Sequence, residues 1–197
     1  MKLPTVGRVR EVWREQGVRG IWFRTWDVLG YRRLIILRRP LDAPITNHIA
    51  TVPVSVDWLT PAQLPELLAE RGSADAPEFQ ARWQRGHRCL AARVEGRLVA
   101  TMWAATGPAW LAYFECEFVP ATAEAYLFDA YTDPQFRGQG IAPLLSNEWM
   151  RRLREEGYRW AIRLTLPENR AALRAHAKAG FEPVGMLRRI KLGPWQR

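Results

Sequence analysis

From residue 48 onward the apolar positions alternate between a two-residue period and a helical one, so the chain predicts strands interleaved with helices. "IATVPVSVDWL" (49–59) alternates as a strand does. Thr60 then stands as a cap, Pro61 suits a first helical position, and "AQLPELLAERG" runs as a helix to Gly72. "APEFQARWQRG" reads as a second helix stopped by glycine, and "HRCLAARV" with "LVATMWAAT" reads as a hairpin turning at Gly96. "WLAYFECEF" (110–118) and "EAYLFDAYT" (124–132) are two further strands. A helix to Gly157, the strand "YRWAIRLTL", the helix "ENRAALRAHAKAG" and a closing pair of strands in "FEPVGMLRRIKL" complete the pattern. Trp103, Trp110 and Trp149 are read as core.

Residues 1–47 form a different unit. Val6, Val9, Val12 and Trp13 repeat at helical spacing, and after Gly17 the set Val18, Ile21, Trp22, Thr25, Trp26 and Leu29 follows an amphipathic pattern. The run "LIIL" (34–37) fits a strand or the end of a helix, and Pro40 and Pro44 close the segment, leaving 48–197 as the main domain. Of a net charge of +9, residues 1–47 carry +6, with ten Lys/Arg against four Asp/Glu, which leaves +3 for the rest. Two readings of this basic, tryptophan-rich extension stay open. It packs on its own domain or on a second subunit as a homodimer contact, or it lies on a membrane surface. The near balance of charge in the remaining 150 residues argues against nucleic acid as partner.

No stretch approaches the roughly 20 apolar residues of a membrane span, and the N-terminus lacks a secretory apolar region, so a cytoplasmic location is expected. Cys89 and Cys116 with three histidines support neither a disulfide framework nor a metal site.

The segment "QFRGQGIA" (135–142) sits where a strand becomes a helix. Such a turn gathers free backbone N–H groups at the positive end of a helix dipole, which suits an anion. Gly138 and Gly140 let the chain curl and let an oxyanion come close, and Arg137 adds a cation at the rim. The spacing lacks the second glycine and the Lys-Ser/Thr pair of a P-loop. Pro143 stands where the dinucleotide fingerprint needs its third glycine.

"QFRGQG" fits the pattern Gln/Arg-x-x-Gly-x-Gly/Ala and resembles the GCN5-related N-acetyltransferase (GNAT) superfamily. "NRAALRAHAKAGF" (169–181) resembles that family's Asn-x-x-Ala…Tyr-x-x-x-Gly-Phe segment, and the two motifs with the elements between them cover about residues 124–185. The resemblance implies an α/β fold with a mixed, mostly antiparallel central sheet flanked by helices, here with an N-terminal amphipathic helical extension. It implies acetyl-CoA or another acyl-CoA as cofactor, held through Gln135, Phe136, Arg137, Gly138, Gln139, Gly140, Ile141 and Ala142. The pantetheine arm would run along Ala130, Tyr131 and Thr132, with Asn169 as a further contact. His176 stands where many members carry a tyrosine regarded as the acid for the departing thiolate, which leaves that role open between this histidine and another group.

Acyl transfer to an amine needs a neutral amine, a donor for the developing oxyanion and a proton for the leaving thiolate. Strict alternation on 124–132 puts Leu127, Asp129 and Tyr131 on one face and Tyr126, Phe128, Ala130 and Thr132 on the other. Asp129 is the conspicuous carboxylate. It is either a substrate-binding or base residue or the partner of an arginine. His176 and Tyr126 are the other catalytic candidates. The expected activity is acetyl transfer to a small-molecule primary amine by direct attack in a ternary complex. Two alternatives are a longer-chain N-acyltransferase at a membrane surface and a catalytically silent CoA-binding or partner-binding module.

Overall fold

The computed structural model describes residues 31–190. The amphipathic repeats at Val6–Trp13 and Val18–Leu29 lie outside the described residues. The described chain is a mixed, mostly antiparallel sheet protein with flanking helices, and it divides into two compact units.

The larger unit comprises residues 39–111 and 116–163. Its strands are β2 (Ser55–Leu59), β3 (Arg88–Val94), β4 (Arg97–Ala105), β7 (Glu124–Thr132) and β8 (from Trp160), neighbours in that order. All pairs are antiparallel except β7 with β8. Helices α1 (Leu64–Arg71), α2 (Ala76–Gln84) and α3 (Ile141–Glu155) accompany them. The sequence boundaries reappear with physical causes. Thr60 caps a 3-10 turn, Pro61–Gln63, whose Gln63 carboxamide accepts from Thr60 N–H at 3.0 Å. Glu95 and Gly96, at φ 50 and 82, form the two-residue turn between β3 and β4.

The core on the α1/α2 side joins Leu59, Leu67, Phe79, Cys89, Ala91, Leu98 and Trp103, with Phe79 stacked on Trp103 at 5.9 Å. On α3, Ile141, Leu145, Trp149, Met150 and Leu153 are buried at helical spacing, and the Trp149 indole N–H donates to the Met102 carbonyl at 2.9 Å.

β7 departs from strict alternation at its centre. Thr101 faces Tyr131 and Trp103 faces Phe128, so Asp129 and Ala130 together oppose the single residue Met102. Asp129 adopts φ 44, the left-handed conformation of a β-bulge. The extra residue re-aims the strand. Phe128, Asp129 and Tyr131, which simple alternation splits between two faces, all meet α1 and α2: Arg82 lies over the Phe128 ring, Arg71 lies over Tyr131, and the Tyr131 hydroxyl donates to the Glu70 carbonyl at 3.3 Å.

Three further expectations are corrected. Strand 49–59 is reduced to Ser55–Leu59, because residues 49–54 form an irregular strap. "WLAYFECEF" is not one strand but an antiparallel ribbon, β5 (Ala109–Leu111) with β6 (Cys116–Phe118), and Glu115 at φ 49 occupies the turn that breaks it. Trp110 is not core, since on that ribbon it is 45% exposed, whereas Trp103 and Trp149 are fully buried.

The smaller unit holds residues 31–38, 112–115 and 164–190 of the described chain. The "LIIL" run is a strand, β1 (Tyr31–Pro40), antiparallel to β9 (Glu182–Ile190), so the closing segment is one strand rather than a pair. Arg32 and Arg189 both pair with Glu115, at 3.2 and 3.6 Å. Helix α4 (Arg170–Lys178) precedes β9. Among the described residues no helix is long and apolar enough to cross a membrane.

Asp129 ties α1 and α2 to β7, and Asp129→Asn should remove the charge while leaving two half-buried guanidinium groups. Urea unfolding should show a loss of about 3 kcal/mol at neutral pH. Burial alone would raise the Asp129 pKa, but Arg82 and Arg71 outweigh it and hold the carboxyl below its ordinary value. Its contribution is therefore complete above the unfolded carboxylate value and is lost as pH falls through the lower folded value. The gap between wild type and variant should narrow below about pH 4.

Candidate active site

The turn after β7 is built from its own side chains. Asp133, buried, accepts from Gln135 N–H at 2.9 Å and from Arg97 at 2.5 Å, which fixes a 3-10 turn over Pro134–Phe136. The Arg97 guanidinium also lies over the Phe136 ring. Gly138 and Gly140 both take φ 79, and Gly140 is the left-handed N-cap of α3.

The consequence is a run of unspent donors. The N–H groups of Gly138, Gln139, Gly140, Ile141 and Ala142 find no acceptor among the described residues. Pro143, third residue of α3, has no N–H to leave unpaired. Arg137 is exposed at the rim, with its Nε donating to the Thr132 carbonyl at 3.3 Å. Gln135 is exposed and accepts from Gln139 Nε2 at 3.4 Å through its carbonyl, while Gln139 Oε1 is buried with no hydrogen-bond partner among the described residues. The site also has space: a Cβ added at Gly138 would meet nothing within 4 Å. These residues fit a pyrophosphate, which needs several converging donors, a nearby cation and no side chain in the way.

The strap packs against the other side of this turn. Thr51 N–H donates to the Gln139 carbonyl at 3.0 Å, and with Leu144 the strap lines an open groove of about 570 Å³.

β7 and β8 are paired only from Glu124↔Trp160 to Tyr126↔Ile162, although β7 runs on to Thr132. Beyond Tyr126 the β8-side edge of β7 has no strand partner among the described residues, and Ala130, Tyr131 and Thr132 lie on this stretch, with Ala130 exposed. Arg163, buried one residue past the last pair, donates to Ser146 Oγ at 2.8 Å, and burial pulls its pKa down to about 10. It remains a cation at neutral pH.

Tyr126 is buried, stacked on Phe128 at 5.1 Å and edge-on to Phe118 at 5.2 Å. Burial pushes its phenol pKa up, so it holds its proton. Asp129 accepts from Arg71 at 2.9 Å and from Arg82. A carboxylate stabilised as the anion in this way is a weak base at neutral pH.

His87 was missed by sequence reasoning. It is buried, its Nε2 lies 3.0 Å from the Pro108 carbonyl and its ring lies edge-on to Phe128 at 5.6 Å. Burial lowers its pKa, so it is neutral at pH 7. Arg71 and Arg82 were missed as well. The signal available was their helical positions opposite a strand carrying an isolated carboxylate.

Asn169 and His176 belong to the smaller unit. Asn169 caps α4, its Oδ1 accepting from Ala172 N–H at 3.0 Å. His176 sits two turns later on the half-buried face with Ala172, Leu173 and Ala179, its ring 6.0 Å from Phe181.

The two loop glycines are needed for different reasons. Gly138→Ala meets only the left-handed backbone cost, about 1–2 kcal/mol. At Gly140 a Cβ would also lie 3.3 Å from the Ile49 carbonyl oxygen and 3.4 Å from Ala50 Cα. Gly140→Ala should therefore lose at least about 1 kcal/mol more in chemical unfolding, because backbone rather than a flexible side chain must yield.

Comparison with known proteins agrees with this geometry. A family model described as the acetyltransferase (GNAT) family matches residues 56–181. Among solved structures, the chain is similar to the GCN5-related glucosamine N-acetyltransferase region of a fungal multi-domain GH3 β-N-acetylglucosaminidase, with 14% identity and TM-score 0.60, over 87% of this chain and 23% of that one. It is similar to an acetyltransferase of the GNAT family from Novosphingobium aromaticivorans, with 18% identity and TM-score 0.55, over 82% and 66%. It is also similar to the aminoglycoside N-acetyltransferase AAC(6')-Iy, solved in complex with CoA, with 18% identity and TM-score 0.55, over 74% and 95%. The chain thus spans less than two thirds of the first two of these proteins, and at such identities the likeness carries the fold. No curated protein matches the chain. The family match covers most of the chain and includes the strand, the glycine turn and the helix described above, so the chain belongs to the GNAT acetyltransferase family.

Proposed function

We propose that the protein transfers an acetyl group from acetyl-CoA to a small-molecule primary amine by direct attack in a ternary complex. The observation that carries this reading is the run of five N–H groups from Gly138 to Ala142 that have no acceptor among the described residues, at the N-terminus of a fifteen-residue helix. Gln135, Phe136, Arg137, Gly138, Gln139, Gly140, Ile141 and Ala142 would hold the pyrophosphate turn of the cofactor, and the open edge at Ala130, Tyr131 and Thr132 would receive its amide-bearing arm. Bound acyl-CoA supplies the acyl group, activated as a thioester.

The remaining roles fall to this chain's own side chains. Asp129, clamped by two arginines, acts as a positioning residue that keeps the bulge and its neighbouring strand edge in place. Tyr126, buried and protonated, shapes the wall beyond the last β7–β8 pair. His176 on α4 is assigned the proton for the leaving thiolate, and Asn169 fixes the start of that helix.

Calorimetric titration of acetyl-CoA, and then of octanoyl-CoA, into wild type and Gly138→Asp tests the loop directly. Micromolar binding of acetyl-CoA, weaker binding of the octanoyl ester and loss of both in the variant are expected. A folded wild type that binds neither would overturn the reading. In an acetylation assay with a panel of amines, His176→Phe should lower kcat about 100-fold while leaving acetyl-CoA binding unchanged. An unchanged kcat would remove His176 from the assignment.

A further inference from the structure

An amine that attacks a thioester releases a proton from nitrogen as the C–N bond forms, and a base must receive it. Asp129 is held as the anion by Arg82 and Arg71, which makes it a weak base, and Tyr126 keeps its own proton. His87 is better suited. Its Nε2 lies 3.0 Å from the Pro108 carbonyl, which can only accept, so in the neutral ring Nε2 carries the hydrogen and Nδ1 the lone pair. The residue is 4% exposed, and Nδ1 is buried with no hydrogen-bond partner among the described residues. An acceptor buried in this way costs about 1–3 kcal/mol, so its presence calls for a cause.

The sheet register gives its position. Arg88 faces Ala104, and Ala105 faces Tyr126, so His87, one residue before Arg88, stands level with Tyr126. Tyr126↔Ile162 is the last pair joining β7 to β8, which makes this the level at which the edge of β7 opens. Strands β3 and β7 are two strand spacings apart, about 10 Å, yet the His87 ring comes to 5.6 Å from the Phe128 ring on β7. Phe128 stacks on Tyr126, and Phe118 of β6 meets Tyr126 edge-on, so a row of rings runs from the end of α2 to the ribbon. The imidazole sits at one end of that row.

We propose that His87 is the general base of the transfer, taking at Nδ1, through one water, the proton that the acceptor amine releases. This assignment rests on the N-acetyl transfer reading. The neutral amine attacks the thioester carbon, the C–N bond forms and the C–S bond breaks. One nitrogen proton passes to His87, and the thiolate leaves with the proton assigned to His176. Exchange with solvent then resets both histidines.

The charges around His87 set its working range. Burial lowers its pKa, the Pro108 contact raises it, Arg82 and Arg85 lower it, and Glu78 raises it. On β7, Asp129 follows Phe128 and is itself bound to Arg82, and on β6 Glu117 is exposed. The net shift is downward, so the neutral base is present at neutral pH and is lost only as pH falls through the lowered value.

His87→Gln tests the assignment, because its carboxamide N–H can still reach the Pro108 carbonyl while the basic nitrogen is gone. In a steady-state assay with acetyl-CoA and a saturating primary amine, the variant should lower kcat about 100-fold. Circular dichroism and calorimetric binding of acetyl-CoA should be unchanged. The wild-type kcat should fall on the acid side, below the ordinary imidazole value. His87→Gln should lose that limb and His176→Phe should keep it. An unchanged kcat in His87→Gln, or a lowered kcat with the acid limb intact, would overturn the assignment. So would a wild-type kcat that stays flat from pH 7 to about pH 4.5, a result that needs no variant. A wild type that binds acetyl-CoA yet acetylates no amine would overturn the transfer reading itself, and this assignment with it.

Discussion

The ion-pair clamp on Asp129 is the constraint on which the larger unit depends. A single extra residue in β7 forces a left-handed backbone at Asp129, and that strain persists because the carboxylate is held by Arg71 from α1 and Arg82 from α2. The same bulge leaves Met102 opposite two residues, and the Met102 carbonyl is taken by the Trp149 indole of α3. Helices of the unit are thereby referenced to one irregularity in one strand. The aromatic rings around it, Phe79, Trp103, Phe128 and Tyr131, give the guanidinium groups apolar faces to lie on, which lowers the cost of keeping them half-buried.

The anion turn obeys a second constraint, the absence of side chains. Its donors stay unspent because Asp133 and Arg97 fix the 3-10 turn from beneath without using the N–H groups of residues 138–142. Gly140 keeps room for the strap, and Gly138 keeps room on the open side. One loop thus carries two steric demands, one internal and one reserved for a ligand.

The smaller unit is organised around Glu115, which sits in a left-handed turn and receives Arg32 of β1 and Arg189 of β9. The fold spends its carboxylate on these two arginines. This is the general fate of charge in an arginine-rich chain: Asp129, Asp133, Glu66, Glu148 and Glu156 are all engaged in the same way.

What the sequence by itself determined is whatever local chemistry dictates. Thr60 and Pro61 mark a helix start, Glu95-Gly96 marks a tight hairpin, and the glycines at 138 and 140 mark a turn between strand and helix, because caps, left-handed backbone and free N–H groups are properties of a few neighbouring residues. The two spaced motifs named the family for the same reason. Tertiary structure decided everything that depends on residues far apart in the chain. Alternation could not show that β7 slips by one at Asp129, since a bulge is fixed by the partner strand and by arginines 47 and 58 positions away. Nor could it show that "WLAYFECEF" folds back on itself, that "LIIL" pairs with the closing strand, or that Trp110 stays in water while Trp103 and Trp149 are buried. Hydrophobicity records that a residue prefers to be covered, and only the assembled fold determines which residues find a cover.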